Sequence, residues 1–160
     1  MIVSKFGGTS VGSFEAMSRS AQIISDNPNR CWIVISATSG TTNDLLRLSS
    51  LPPNTANSEG LMEEIARRHL DIASQCSYAK EAIHAVKERL DKLKEHHSKS
   101  QESDEYTHAE WTDTLLAFGE DLSTQLFAWL LRGKGKEVQL QWAGDFIETD
   151  SRFGSAVVDL

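Results

Sequence analysis

The chain is 160 residues long, enough for one domain that buries about two-thirds of its unfolded surface. It carries 23 acidic against 16 basic residues, a formal charge of -7, which argues against a nucleic-acid binder, since those are basic. No secretory leader opens it and no apolar run nears the roughly 20 residues that cross a bilayer, so a soluble, cytoplasmic protein without membrane contact is expected.

In chain order, Ile2 to Phe6 is a short extended segment broken by Gly7-Gly8-Thr9-Ser10. Ser13 suits the N-cap of a helix whose apolar face is Ala16, Met17, Ala21 and Ile24, and Asp26-Asn27-Pro28-Asn29 stops it. Cys31 to Ile35 is apolar without alternation and reads as a strand buried on both faces. Strand, glycine turn, helix and strand make a βαβ unit. The second strand also ends in a small-residue loop, Ser36 to Thr42, so two loops leave one sheet edge, the edge where open α/β sheets bind ligands.

Residues 51–57 form a loop. A helix from about Glu59 to Cys76 is striped by Met62, Ile65, His69, Ala73 and Cys76, and a second runs from Tyr78 towards His97, with His96 and His97 at an exposed, charged end. A polar connector is expected from Ser98 to Asp104. The segment from Trp111 to Leu131 is helical in spacing, apolar enough to pack on more than one side, and ended by Gly133 and Gly135. Val138 to Trp142 alternates as a strand does, and the tail holds a compact Asp150-Ser151-Arg152-Phe153-Gly154 turn. Cys31 and Cys76, too few for a disulfide scaffold, read as buried thiols, and the four tryptophans as core residues. The five histidines show no metal-ligand spacing.

Three places can carry chemistry. Lys5-Phe6-Gly7-Gly8 puts a lysine at a strand tip directly before two glycines, whose amides can approach a phosphate without a Cβ in the way, while a following helix start adds positive potential. An ordinary glycine turn with a solvent-facing lysine is the alternative on spacing alone. The Ser36–Thr42 loop offers hydroxyls to a small polar ligand, although Thr42 or Asn43 also suits a helix cap. Glu120, in Gly119-Glu120-Asp121, interrupts an apolar helix with charge; it either meets a ligand's ammonium group or faces solvent.

Taken together these residues resemble a known family. Val3 to Val11, Ser20 to Ile24, Val34 to Ala37, Gly40 to Asn43, Gly119 to Ser123, Gln141-Trp142 and Asp150 to Gly154 resemble, in order, the motifs of aspartokinases within the amino-acid kinase family, the middle helices being closest to the lysine-sensitive type. The resemblance implies an α/β fold, a mainly parallel sheet flanked by helices (carbamate kinase-like), incomplete here and with a helical insertion at about residues 59–131. It implies transfer of the ATP γ-phosphate to the β-carboxylate of L-aspartate, with ATP and Mg²⁺ as the metal–nucleotide complex, the first step toward lysine, threonine and methionine. Lys5 would be catalytic, and Lys5, Phe6, Gly7 and Gly8 would bind ATP phosphates. Ser36, Thr42 and Glu120 would bind aspartate, with no metal ligand among residues 1–160. Arg152 to Gly154 would lie near the pocket without an assigned role.

The family's catalytic domain runs to nearly twice this length and ACT domains follow it. Residues 1–160 are therefore expected to be its amino-terminal portion, lacking the nucleotide-binding half and inactive alone, with a homo-oligomer possible for the full-length protein. A non-catalytic binding or assembly module and a kinase of another small carboxylate, such as glutamate or N-acetylglutamate, are the competing readings.

Overall fold

The computed structural model describes residues 1–99 and 108–159. At its start β1 (Ile2–Phe6), α1 (Phe14–Ser25) and β2 (Arg30–Ile35) form the expected βαβ unit, the strands parallel with Val3 opposite Trp32 and Phe6 opposite Ile35. Ser13 Oγ accepts the Ala16 amide and caps α1, whose Ala16, Met17, Ala21 and Ile24 are buried as the pattern predicts.

Paired residues of parallel strands share a face. Ser4, Phe6, Ile33 and Ile35 turn to the helices, with the Phe6 ring 5.6 Å from that of Phe127. The other face carries Val3, Lys5, Trp32 and Val34, and Trp32 and Val34 are 47% and 50% exposed. This corrects the expectation of a strand buried on both faces: the described helices cover one face only. Cys31 is exposed rather than buried, because it is the extra residue at a register shift between the Ile2–Arg30 and Val3–Trp32 pairs. Trp32 and Trp142 are half-exposed, so of the four tryptophans Trp111 alone is fully in the core.

The rest is helical: α2 (Thr41–Leu48), α3 (Ala56–Ala73), α4 (Ala79–Lys99) and α5 (His108–Gly133). Thr55 and Ser58 form a capping box at the start of α3, each side chain meeting the other's amide. Helix α5 packs against α1, α2, α3, α4 and β2, which is why it is buried round most of its circumference; Leu115, Leu122 and Leu126 are wholly enclosed. Its end is closed by amides of Gly135 and Lys136 on the carbonyls of Arg132 and Leu131. Glu120 and Asp121 do not break it.

Two further expectations are corrected. His97 is buried, its Nε2–H donating to the carbonyls of Leu48 and Leu51, so the end of α4 is an anchor for the end of α2; His96 stacks on Trp111. Residues 138–142 have no strand partner among the described residues: alternation offers a strand, but a ladder needs a neighbour. Of the expected connector, Ser98 and Lys99 continue α4 and the remainder lies outside the described residues. Cys76 is buried, and burial pushes its thiol up to about 11. Among the described residues no helix is long and apolar enough to cross a membrane.

Candidate active site

The ends of β1 and β2 lie side by side, and the Ser36 amide donates to the Phe6 carbonyl at 3.1 Å, carrying the pairing one residue past the strands. The two loops that leave this edge are seated on each other. A Cβ at Gly8 would stand 3.0 Å from the Ala37 carbonyl oxygen, and one at Gly12 would stand 3.1 Å from the Ser39 Cβ, so a larger residue at either would push the loops apart. Gly8 to Val11 make a 3-10 turn with Gly7 at its cap and no side-chain cap among the described residues, while the Ser10 amide donates to the Gly7 carbonyl at 2.9 Å.

Lys5 lies on the open face of β1, and its ammonium reaches to 3.6 Å from where a Gly7 Cβ would be. It folds over the glycine loop and makes no ion pair among the described residues. Phe6 is committed to the core through its ring, which leaves its main chain to any phosphate contact. The strand alternation therefore presents the cation and hides the aromatic.

Helix α5 supplies the third side. Glu120 Oε1 accepts the Ala37 amide at 3.2 Å, and Ser123 Oγ donates to the Ser36 carbonyl at 2.7 Å. Glu120 is otherwise exposed, with the rest of its carboxylate available. Asp121, its neighbour, is turned towards α4 and ion-paired there with Arg89; burial raises its pKa against the opposing pull of Arg89. Adjacent acids on one helix thus serve different sides.

Gly119 permits this approach. A Cβ there would meet the Ala37 Cβ at 2.9 Å, with Leu45 Cδ1 at 3.3 Å. Gly119→Ala gains roughly 1 kcal/mol of helix propensity but overpacks at a cost of about 1–3 kcal/mol, so a net loss of about 1 kcal/mol is expected. The check is thermal unfolding, where a Tm about 3 °C lower is expected and an unchanged or higher Tm would show the contact to be slack.

Of the residues singled out from sequence, the structure brings Lys5, Gly7, Gly8, Ser36 and Glu120 to one corner, from three separate elements. Thr42 is not drawn in: it is exposed on the first turn of α2, and its side chain makes no hydrogen bond among the described residues. Nor do Thr42 or Asn43 cap that helix. Gly40 does, at a φ of +86° that a side chain would strain, with the Arg68 guanidinium 3.6 Å from its missing Cβ. The Arg152 turn is closed on itself by Asp150, whose pKa Arg152 lowers, and the Gly154 amide donates to Asp113 of α5, roughly two helical turns from Glu120.

Behind the corner lies a polar group that sequence reading did not assemble: Thr38 and Thr41 of the Ser36–Thr42 loop with Asp44, Arg68 and His69. Arg68 bonds Thr41 and Asp44, and His69 bonds Thr38 and the Ile65 carbonyl. The available signal was His69 on an apolar stripe, since a buried polar group demands partners. Burial pushes His69 down to about 4, keeping it neutral. Among the described residues no three His, Cys, Asp or Glu side chains gather to hold a metal, and the corner itself has one carboxylate among amides, hydroxyls and a lysine. That donor set suits an anion and an ammonium group, and does not fit a resident divalent cation.

Comparison with known proteins follows the same lines. The family model described as the amino acid kinase family matches residues 1–153. The lysine-sensitive aspartokinase 3 of Escherichia coli K12 is 34% identical across the whole chain, which covers 35% of that protein. Crystal structures of E. coli aspartokinase III superpose closely, each at 30% identity over 99% of this chain and 35% of theirs. One, in complex with lysine and aspartate (T-state), has a TM-score of 0.87, and one with aspartate and ADP (R-state) has 0.86. The chain spans about a third of the length of the curated relatives it matches.

Proposed function

The chain belongs to the amino acid kinase family, and on that premise we propose that it is the amino-terminal portion of an aspartate kinase catalytic domain, transferring the γ-phosphate of ATP to the β-carboxylate of L-aspartate. The observation that carries this reading is the convergence of Lys5, the Gly7–Gly8 turn and Glu120 at the carboxyl ends of a parallel strand pair.

The chemistry needs little more from these residues than placement. An aspartate β-carboxylate, with an ordinary pKa near ~3.9, is ionised at neutral pH and needs no general base. One of its oxygens attacks the γ-phosphorus as the bond to the ADP oxygen breaks, giving an acyl phosphate. In this reading Lys5 and the first-turn amides meet the charge that spreads over the phosphoryl oxygens in flight, and Glu120, whose Oε1 accepts the Ala37 amide, offers its remaining oxygen to the substrate ammonium. Ser36 lines the aspartate side in this reading, and Thr42, which the resemblance assigns to the same side, stands exposed on the first turn of α2. Mg²⁺ arrives as part of the ATP substrate. The reading carries with it a cytoplasmic setting and self-assembly of the longer protein.

The test is ADP release from ATP–Mg²⁺, measured on residues 1–160 and on the chain continued through its whole reading frame. The continued chain is expected to release ADP when aspartate is added and not when glutamate is; residues 1–160 alone are expected to show no turnover. Absence of aspartate-dependent ADP from the continued, folded chain would sink the proposal.

A further inference from the structure

The Ser36–Gly40 loop is gripped at three successive residues. From α5, Ser123 takes the Ser36 carbonyl and Glu120 takes the Ala37 amide. The third grip comes from the other side and belongs to α3. Thr38 is 1% exposed, and His69 and Thr41 are wholly enclosed. Thr38 Oγ1 lies 3.0 Å from His69 Nε2 and 2.6 Å from Thr41 Oγ1, and Arg68 Nη1 reaches Thr41 Oγ1 at 3.0 Å.

The directions of these bonds follow from chemistry. A carbonyl only accepts, so His69 Nδ1, 2.7 Å from the Ile65 oxygen, carries the proton. In a neutral ring Nε2 is then bare and accepts from the Thr38 hydroxyl. That hydroxyl has spent its hydrogen and must accept from Thr41, which in turn accepts from Arg68, since a guanidinium only donates. One ordered relay results, Arg68 to Thr41 to Thr38 to His69 to Ile65, with a single allowed polarity. Asp44 neutralises the Arg68 end at 2.7 Å. A relay of one polarity fixes both hydroxyl rotors and with them the main chain between Ala37 and Gly40.

We infer that His69, acting through Thr38, is a positioning residue that locks the Ser36–Gly40 loop to helix α3 and so sets the Ala37 amide that orients Glu120. The inference rests on reading that loop as the aspartate side of the site. It makes the helical segment a brace for the substrate corner: a shift of α3 relative to the strands is transmitted to Glu120 through Thr38 and Ala37, with no contact between α3 and substrate required.

The test uses ¹⁵N-labelled residues 1–160 at neutral pH. The ring nitrogens of His69 are expected to show a protonated Nδ1 and an unprotonated, hydrogen-bonded Nε2; the opposite tautomer, or a mixture of the two, overturns the relay. Amide hydrogen exchange gives the second readout. In Thr38→Val, exchange at Ala37 is expected to rise about tenfold while Val86 in α4 and Leu126 in α5 keep their rates, and Thr38→Ser is expected to restore the slow rate at Ala37. Equal exchange at Ala37 in wild type and Thr38→Val, or identical behaviour of the Val and Ser variants, overturns the positioning role. Neither ATP nor aspartate is present, so this result and that of the ADP assay are independent.

Discussion

Lys5→Ala, made in the chain continued through its reading frame, is expected to lower aspartate-dependent ADP release by about 10²–10³-fold in kcat, with the KM for aspartate little changed. The size of the effect decides between two roles for an exposed lysine. A charge acting at about 4 Å through open water is worth roughly 1 kcal/mol, hardly tenfold at most. A charge covered by nucleotide, touching phosphoryl oxygens in a site closed to water, is worth roughly 3–4 kcal/mol. The ammonium lies over Gly7 at the strand tip and is bound by no acid among the described residues, which leaves it available for the second role. Lys5→Arg is expected to recover only part of the rate, because a planar fork does not reproduce a compact point charge against a single oxygen. Full turnover in Lys5→Ala, measured by coupled ADP release with saturating aspartate, would remove Lys5 from the chemistry and return it to a solvent-facing strand end.

Acid is expected to weaken the fold through His69. Burial holds its folded pKa at about 4 against the ordinary 6.5, with the Arg68 charge opposing protonation and the bond to Ile65 favouring it. Above pH 6.5 the ring is neutral folded or unfolded and contributes no slope. Between 6.5 and about 4 the unfolded chain binds a proton that the folded chain refuses, so stability falls with pH at up to ~1.36 kcal/mol per unit, about 3 kcal/mol in all. Below about 4 this loss is complete. Asp121 works in the opposite sense: its folded pKa is raised, so its proton is bound more tightly in the fold and its contribution grows in acid. The measurement is therefore a difference. Urea unfolding of wild type and His69→Gln at pH 7, 5.5 and 4.5 is expected to show a wild-type decline that the variant largely lacks. Parallel declines in the two proteins would mean that His69 titrates in the fold as freely as in water.

How much of this was legible in sequence depends on the range of the interactions involved. The βαβ opening, the Ser13 cap and the amphipathic stripe of α1 follow from residues within about a dozen positions of one another, and local sterics and capping are enough to specify them. Helix α5 was legible for the same reason, as was its need for neighbours on several sides. Glu120 was legible as a conflict, a charge in an apolar helix, but not its partner, because the Ala37 amide is 83 residues away. The similarity to aspartokinases pointed to Lys5, Gly7, Gly8, Ser36, Thr42 and Glu120 together; the fold gathers all but Thr42, which stands exposed while its neighbour Thr41 is buried.

By itself, then, the sequence determined the βαβ opening, the long helices and which short polar loops leave the sheet edge, since periodicity and caps act within a turn or two of chain, but it wrongly offered a strand at residues 138–142. Which faces are covered was decided only by tertiary structure. An apolar run such as Cys31 to Ile35 states that burial is favourable and not what arrives to provide it, so the open sheet face, the exposed Cys31 and residues 138–142, unpaired among the described residues, could not be read in advance. The relay through His69 belongs to the same class. Two hydroxyls, an imidazole and a guanidinium acquire direction only when packing links each to the next at 3.0 Å or less and excludes water, which would otherwise satisfy each of them separately.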